Sequence, residues 1–390
     1  MYRFAPQVYL VEGAAGACIY DLAQRKLWHA SPETAALIRP ACSGAQTRFS
    51  PAESDLLGKL CKAGMLAESP VPAPLPDIAA LRQAPQIRQA WIELCTDCNL
   101  RCLHCYNEAS AQGIRMSPED FQLVCQRLQE ADIRDIQLIG GEPFLHPDLH
   151  EILEAAAKRF RRIEIFTNGT LLNDAWCRIL RALNIRLALS VYSAQPEPHD
   201  AVTGVRGSHA AVMHAVSLLQ TYDIPFRTAS VAMKCNPDGT DVVRMAGRGS
   251  LHLLTPELLR RKLITKETFR RSLDPARVQA AVSGNPCFSR KIYIAADLTV
   301  YPCVMERRMQ HGSLKTSLLS HLLRQDILCR NRDSIPACRI CEYRYACAPC
   351  LPDALSADPA DKPYYCTYDA ASGIWIEPAA QLAAVFGGNT

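Results

Sequence analysis

Three cysteines within eight residues, Cys98-Asn99-Leu100-Arg101-Cys102-Leu103-His104-Cys105, constrain this chain more than any other feature. Gaps of three and two residues let three thiolates converge on one face of an iron–sulfur cluster and leave its fourth iron without a protein ligand. An iron with an open position can bind and reduce a small molecule. Zinc is the competing reading. Zinc sites usually take four ligands from paired Cys-x2-4-Cys knuckles, and this triplet offers three.

The remaining cysteines follow no disulfide pattern. There are 18 in 390 residues, a length that allows two or three domains if one takes about 150. With no signal-peptide core in Met1-Tyr2-Arg3-Phe4-Ala5-Pro6 and no run of about 18 apolar residues, a reducing cytoplasm with metal-bound thiolates fits better than an oxidised, exported or membrane protein. The net charge of +4 is too mild to argue for nucleic acid or a membrane surface, and 48% apolar residues can fill a sizeable core. Cys18, Cys42, Cys61, Cys125, Cys177 and Cys235 are scattered and read as small core hydrophobes. Cys95, Cys98, Cys102 and Cys105 gather early, and eight more lie between Cys287 and Cys366.

Residues 1–70 read as a winged-helix-like module. Val8–Val11 is a strand, Ala17–Leu22 and Lys26–His29 form a hairpin, and helices open at Ser31-Pro32-Glu33 and at the capping box Ser50-Pro51-Ala52-Glu53. Residues 71–89 read as a stiff proline-rich linker continuing Ser69-Pro70-Val71-Pro72. From 90 to 245 strands and helices alternate. Strands are expected at Ala90–Leu94, Ile136–Ile139, Ile163–Thr167, Leu187–Val191, Phe226–Met233 and Val242–Met245, with helices starting at Ser117, Pro147, Asn173 and Ser208. That is the pattern of a parallel α/β sheet, open or barrel-like, with ligand chemistry at the carboxyl ends of its strands. Only Lys234–Asp241 separate the last two strands, too few for a parallel crossover, so the wall should be incomplete there. Residues 246–283 read as a basic helical bridge with Arg248, Arg260, Arg261, Lys262, Arg270 and Arg271, either a solvated face or a surface for an acidic peptide.

With these motifs in place, the segment from 92 to about 245 resembles the radical S-adenosylmethionine (SAM) superfamily. The triplet has the family's spacing, with His104 where an aromatic residue is usual, and Gly140-Gly141-Glu142-Pro143 after the second strand matches the family's Gly-Gly-Glu-Pro motif. The resemblance implies a partial (β/α)6 barrel and a 4Fe–4S cluster on Cys98, Cys102 and Cys105. Contacts to SAM would come from His104, Gly140, Gly141, Glu142, Pro143, Asn168 (in Thr167-Asn168-Gly169), Ser190 and Arg206, with Glu142 and strand-end carbonyls accepting from the SAM ammonium group. Asn168 could equally only shape its turn.

Residues 284–390 resemble the cysteine-rich SPASM extension of peptide-modifying members. By that resemblance Cys338, Cys341, Cys347 and Cys366 would hold an outer auxiliary 4Fe–4S cluster, and Cys287, Cys303 and Cys350 an inner one. Zinc knuckles are the alternative for the Cys-x2-Cys pairs. The pattern departs from many members in the two-residue gap before Cys350 and in having no cysteine shortly before Cys287, so the inner cluster could have an open iron. Cys329 is a spare. The N-terminal module resembles leader-peptide recognition elements of ribosomal peptide maturases, where an extended leader would add a strand near Val8–Leu10 or Lys26–His29. An accessory domain or a nucleic-acid wing is the alternative.

The whole implies a radical SAM/SPASM peptide maturase. The cluster would pass an electron from a flavodoxin or ferredoxin to SAM. The resulting 5′-deoxyadenosyl radical would take hydrogen from a precursor peptide, which then closes a C–C, C–O or thioether crosslink. A sulfatase-maturase-like protein modifier and a non-enzymatic zinc or iron–sulfur sensor are the other readings. Tyr106, Glu108, His146 and His199 are candidates for handling the radical intermediate.

Overall fold

The computed structural model describes residues 1–106, 113–242, 248–285, 287–347, 350 and 361–387. The chain divides into two compact units, each assembled from separated segments. One is Pro85–Lys262 with Cys287–Leu328; the other is Met1–Ala84 with Leu263–Pro286 and Cys329–Thr390.

The first unit is built on an eight-stranded, mostly parallel sheet. Strands Gln89–Glu93, Asp135–Ile139, Arg162–Thr167, Arg186–Ser190 and Phe226–Ala229 lie side by side in that order, all parallel. Lys291–Ile294 returns to the free side of the first strand, also parallel, and Thr299–Tyr301 and Gly312–Ser313 follow antiparallel. Alternation along the strands separates two faces. Ile92, Leu138, Ile165 and Leu187 pack into a core with helix residues such as Phe121, Leu153, Leu180 and Leu219. Trp91, Ile139, Phe166 and Tyr293 pack together in a second cluster on the opposite, luminal face. Fully burying each such side chain stabilises the fold by roughly 1.5–3 kcal/mol. The helices begin where their caps dictate. Ser117 accepts from Asp120 N ahead of Pro118–Glu130, and Asn173 accepts from Trp176 N ahead of Asp174–Ala182.

The expected long fifth strand is broken. Phe226–Ala229 stays in the sheet, while Val231–Ala232 leaves it and pairs in parallel with Asp241–Val242. The connection is too short for a helix and closes as a tight turn, with Met233 and Asn236 exchanging backbone hydrogen bonds of 3.1 and 2.8 Å. The start of the sixth strand therefore pairs with the detached end of the fifth and not with the part that stays in the sheet. Its expected end, 243–245 with Arg244, lies outside the described residues. The bridge is also broken, into Arg248–Leu253, Pro256–Arg260, Lys266–Arg270 and Pro275–Ser283. Pro256 and Pro275 each open a new helix and cannot continue an old one.

In the second unit, Val8–Glu12, Ala17–Asp21 and Lys26–Ala30 form an antiparallel sheet, followed by helices Pro32–Ser43 and Pro51–Lys62. Ser50 and Glu53 make the reciprocal capping box that their spacing foretells. The sheet is covered on both faces. Val8 and Ile19 pack with Leu37, Ile38 and Leu57, whereas Val11, Cys18 and Tyr20 pack with Val278, Tyr343 and Tyr368. The proline-rich stretch is not a free spacer. Ser69 N donates to Met1 O, Ala73 N to Cys42 O, and Ile78 is buried in a short 3-10 helix. Prolines keep it extended, but it lies packed on its own unit. Among the described residues no helix is long and apolar enough to cross a membrane.

Candidate active site

The first wall strand delivers the cysteine triplet to the carboxyl end of the sheet. The loop is fastened from several sides. Leu94 N donates to Ile139 O (2.8 Å), Arg101 N to Thr203 O (2.9 Å) and Leu103 N to Val202 O (3.0 Å). The buried Asp97 carboxylate accepts from Arg115 Nε at 3.2 Å and Nη2 at 2.7 Å. Cys98, Cys102 and Cys105 lie within electrostatic range of one another. Burial pushes the Cys98 thiol up to about 11 and Cys102 to about 12, so each keeps its proton unless a metal cation takes its place. Leu100 N donates to Cys98 Sγ at 3.4 Å, and the Tyr192 side chain lies within electrostatic reach of Cys102 and Ser190. Among the described residues no group of three His, Cys, Asp or Glu is placed to hold one metal ion. A tetrahedral zinc, with bonds of about 2.3 Å, would gather its sulfurs onto a single point.

The Gly-Gly-Glu-Pro turn packs directly on this loop. Gly141 N donates to Cys95 O and Glu142 N to Asp97 O, each at 2.8 Å. A Cβ on Gly140 would sit 2.6 Å from Cys95 O, and one on Gly141 would be 2.6 Å from Asp97 C. Only glycine permits that approach. Glu142 is fully buried, and its carboxylate accepts from Thr167 Oγ1 (2.7 Å), Asn168 N (2.8 Å) and Phe144 N (3.1 Å), so it ties this turn to the end of the third strand. Burial raises it to about 6 against the pull of those donors. Pro143 is buried at the head of a short 3-10 turn. Asn168 reaches the cysteine loop, donating to Asn99 Oδ1 at 2.8 Å with Cys98 Sγ 3.9 Å away. The His104 ring stands edge-on to Tyr192, centroids 5.0 Å apart, with Nδ1 buried and unpartnered among the described residues. Arg206 is exposed in the turn between two helices, and among the described residues no hydrogen bond or ion pair joins it to the other predicted site residues.

Two candidates for radical handling serve the scaffold. His146 Nε2 bonds Met116 O at 2.8 Å while its Nδ1 accepts from Asp148 N. His199 Nδ1 accepts from Tyr192 N inside a His199–Tyr192–His209 ring cluster. Tyr106 is exposed; Glu108 lies outside the described residues. Sequence reasoning missed Tyr192, the Asp97–Arg115 clip and a luminal triad. In that triad the buried Glu93 accepts from Ala296 N (3.1 Å) and Arg307 Nη2 (3.4 Å), and Arg307 donates to Tyr293 Oη (2.6 Å). An acidic residue at the carboxyl end of an otherwise apolar strand was the available signal.

In the second unit, Cys338, Cys341, Cys347 and Cys366 line one cavity with Tyr343 and Trp375. The outer-cluster set is thus brought together across 29 residues of sequence, counted from 338 to 366. Burial pushes Cys347 up to about 12. Of the inner set, Cys287 and Cys303 belong to the sheet unit and Cys350 is placed in the other by chain position. Cys329 is not among the cavity's lining residues.

Residues 92–238 match the family model of the radical SAM superfamily, and this segment is a radical SAM domain. Within it the chain is similar to the antilisterial bacteriocin subtilosin biosynthesis protein AlbA of Bacillus subtilis (32% identity; 39% of this chain, 35% of that protein). It is also similar to the AdoMet-dependent heme synthase of Methanosarcina barkeri (30% identity; 40% and 45%). The chain thus spans less than half the length of either relative. A solved structure of native anSMEcpe with bound AdoMet and Kp18Cys peptide superposes with a TM-score of 0.53 at 16% identity, over 77% of this chain and 96% of that one. At that identity the likeness is one of fold.

Proposed function

We propose that this protein is a radical SAM maturase that installs an intramolecular crosslink in a ribosomally made precursor peptide. The observation that carries the reading is the fastened three-thiol loop resting on Gly140–Glu142 at the carboxyl end of a parallel sheet. When bound, a 4Fe–4S cluster and SAM supply a carbon-centred radical able to take hydrogen from an unactivated carbon. The chain's own residues do the rest. Cys98, Cys102 and Cys105 hold the cluster. Leu100 N donates to the Cys98 sulfur and so favours its thiolate form. Asn168 steadies Asn99. Glu93, Arg307 and Tyr293 give the lumen a fixed polar edge. His104, Ser190 and Arg206 are proposed to contact SAM. Cys338, Cys341, Cys347 and Cys366 would hold an outer auxiliary cluster, since thiolate-only sets suit such groups. Cys287, Cys303 and Cys350 would hold an inner one.

A peptide substrate is supported by the similarity to a bacteriocin biosynthesis protein and by the exposed strand Lys26–Ala30, which carries Trp28 at 41% exposure on the rim of a three-stranded sheet. An extended leader could pair there. A one-electron carrier such as flavodoxin or ferredoxin and a reducing cytoplasm belong to the same proposal.

Anaerobic purification tests it. About twelve irons per chain, with matching sulfide, are expected for three clusters, together with SAM cleavage to 5′-deoxyadenosine that Cys98→Ala abolishes. A precursor peptide encoded beside this gene should lose the mass of two hydrogens on co-expression. Zinc in place of iron, or SAM cleavage surviving in Cys98→Ala, overturns the reading.

A further inference from the structure

Glu342 follows Cys341 directly and is completely buried, yet none of its contacts is to a cation of its own loop. Its Oε1 accepts from the Tyr368 hydroxyl and lies 3.5 Å from His29 Nε2, while Oε2 has no hydrogen-bond partner among the described residues. That second oxygen faces Gly13, where a Cβ would collide with it and would sit 2.8 Å from Glu342 N and 2.9 Å from Ile340 O. Around this point the segment Ile340–Ala346 is stitched to the N-terminal sheet. Ala14 N donates to Ile340 O (2.8 Å), the Tyr20 hydroxyl to Glu342 O (2.9 Å), Ala346 N to Tyr20 Oη (3.2 Å), and Arg344 Nη1 to Glu12 O (2.8 Å). Every strand of the sheet takes part: the first through Glu12, the middle through Tyr20, the edge through His29.

We propose that the N-terminal sheet is a structural wall of the four-thiol site, with Glu342 as the positioning residue that joins them. The sheet is therefore not a separable recognition module. Cys338, Cys341 and Cys347 sit on or beside the very segment the sheet grips, so their spacing depends on residues more than 300 positions away. Gly13 is required because the carboxylate and the cysteine-loop backbone occupy the space of any side chain there. Tyr20 is required because its hydroxyl both donates and accepts across the join. An edge strand carrying His29 against Glu342 also sets the rim where a leader would pair in direct contact with this residue. The inference rests on the reading of the four thiols as cluster ligands.

The test uses the full chain, reconstituted anaerobically, with substitutions that touch no cysteine. Glu342→Ala and Gly13→Ala should each lose about four irons per chain and the outer cluster's electron paramagnetic signal. The three-thiol cluster should keep its SAM-perturbed signal, which reports that the sheet unit remains folded. Glu342→Gln, which still accepts from Tyr368, should restore both iron and signal. Tyr20→Phe is the mild variant in case Gly13→Ala fails to fold. Loss of its two hydrogen bonds should speed iron release to a chelator about tenfold. Unaltered protein with only about four irons would sink the ligand reading itself. Full iron, unchanged spectra and unchanged release in Glu342→Ala and Tyr20→Phe would overturn the inference while leaving that reading intact.

Discussion

Glu142 shows how a motif residue can serve the fold. Three donors, Thr167 Oγ1, Asn168 N and Phe144 N, depend on its carboxylate in a site without solvent. Leaving them unpaired costs about 1–3 kcal/mol each, so Glu142→Ala should destabilise the protein by on the order of 3–9 kcal/mol in denaturant melts. Glu142→Gln, which keeps an acceptor, should lose far less. SAM affinity should fall in step with stability across the two variants. A Gln variant of wild-type stability but much weakened SAM binding would show instead that the carboxylate meets the ammonium directly. The position of the motif was legible because four consecutive residues follow a recognisable strand. The inward turn of the carboxylate was not, because nothing in the letters tells a ligand acceptor from a cap.

Along the wall strands the two faces are unequal. Ile165 packs into the helix-side core, while its neighbour Glu164 faces the other way and accepts from Gln137 Nε2 (3.0 Å) and Arg227 Nη2 (2.8 Å). Ile165→Ala should cost about 2–5 kcal/mol by leaving a cavity in a close-packed layer. Glu164→Gln, which keeps an acceptor, should cost much less, as compared by thermal or urea unfolding. This alternation made the first four strands readable to within a residue or so. The strand Lys291–Ile294 escaped notice because its pairing partner, Gln89–Glu93, lies some 200 residues earlier, and periodicity reports a face without naming a neighbour. The broken fifth strand escaped for a different reason. Phe226–Met233 is apolar enough to read as one run, and the break is set by Asn236, whose side chain bonds the carbonyls of Tyr192 and Val231.

At the scale of the whole molecule, buried neutral histidines set the acid limit. Burial holds His199 and His311 down at about 4, well under the ordinary histidine value. In the unfolded chain each would protonate near pH 6.5. Their folded pKa is depressed, so their contribution is full above pH 6.5 and is lost as pH falls from there towards 4. Glu142 works the other way. Its raised value, about 6, returns some stability between pH 6 and 4.5, but over a narrower span than two histidines. Net stability should therefore drop between pH 6.5 and 4, and replacing His311 with Gln should flatten the profile. A pH-independent melting temperature over that range would contradict the burial. The sequence reading places a boundary at 284, beside the crossing at Pro286, but nothing in the composition marks Leu263 or Cys329, so the interleaving as a whole was not legible.

That interleaving has a consequence for biosynthesis. The N-terminal sheet can cover one face with its own two helices as soon as it leaves the ribosome. Its other face, with Val11, Cys18 and Tyr20, has Ile78 beside it early but gains Val278 only 194 residues after Ala84, and Tyr343 and Tyr368 come 259 and 284 residues after it. At 5–20 residues per second the last of these arrives roughly 14 to 57 seconds later, and until then that face is only partly covered. During translation this side of the nascent chain would be open to chaperones and to mispairing. Of the cysteine sets, the four-thiol pocket, which needs Cys366, would be the last able to accept its metal.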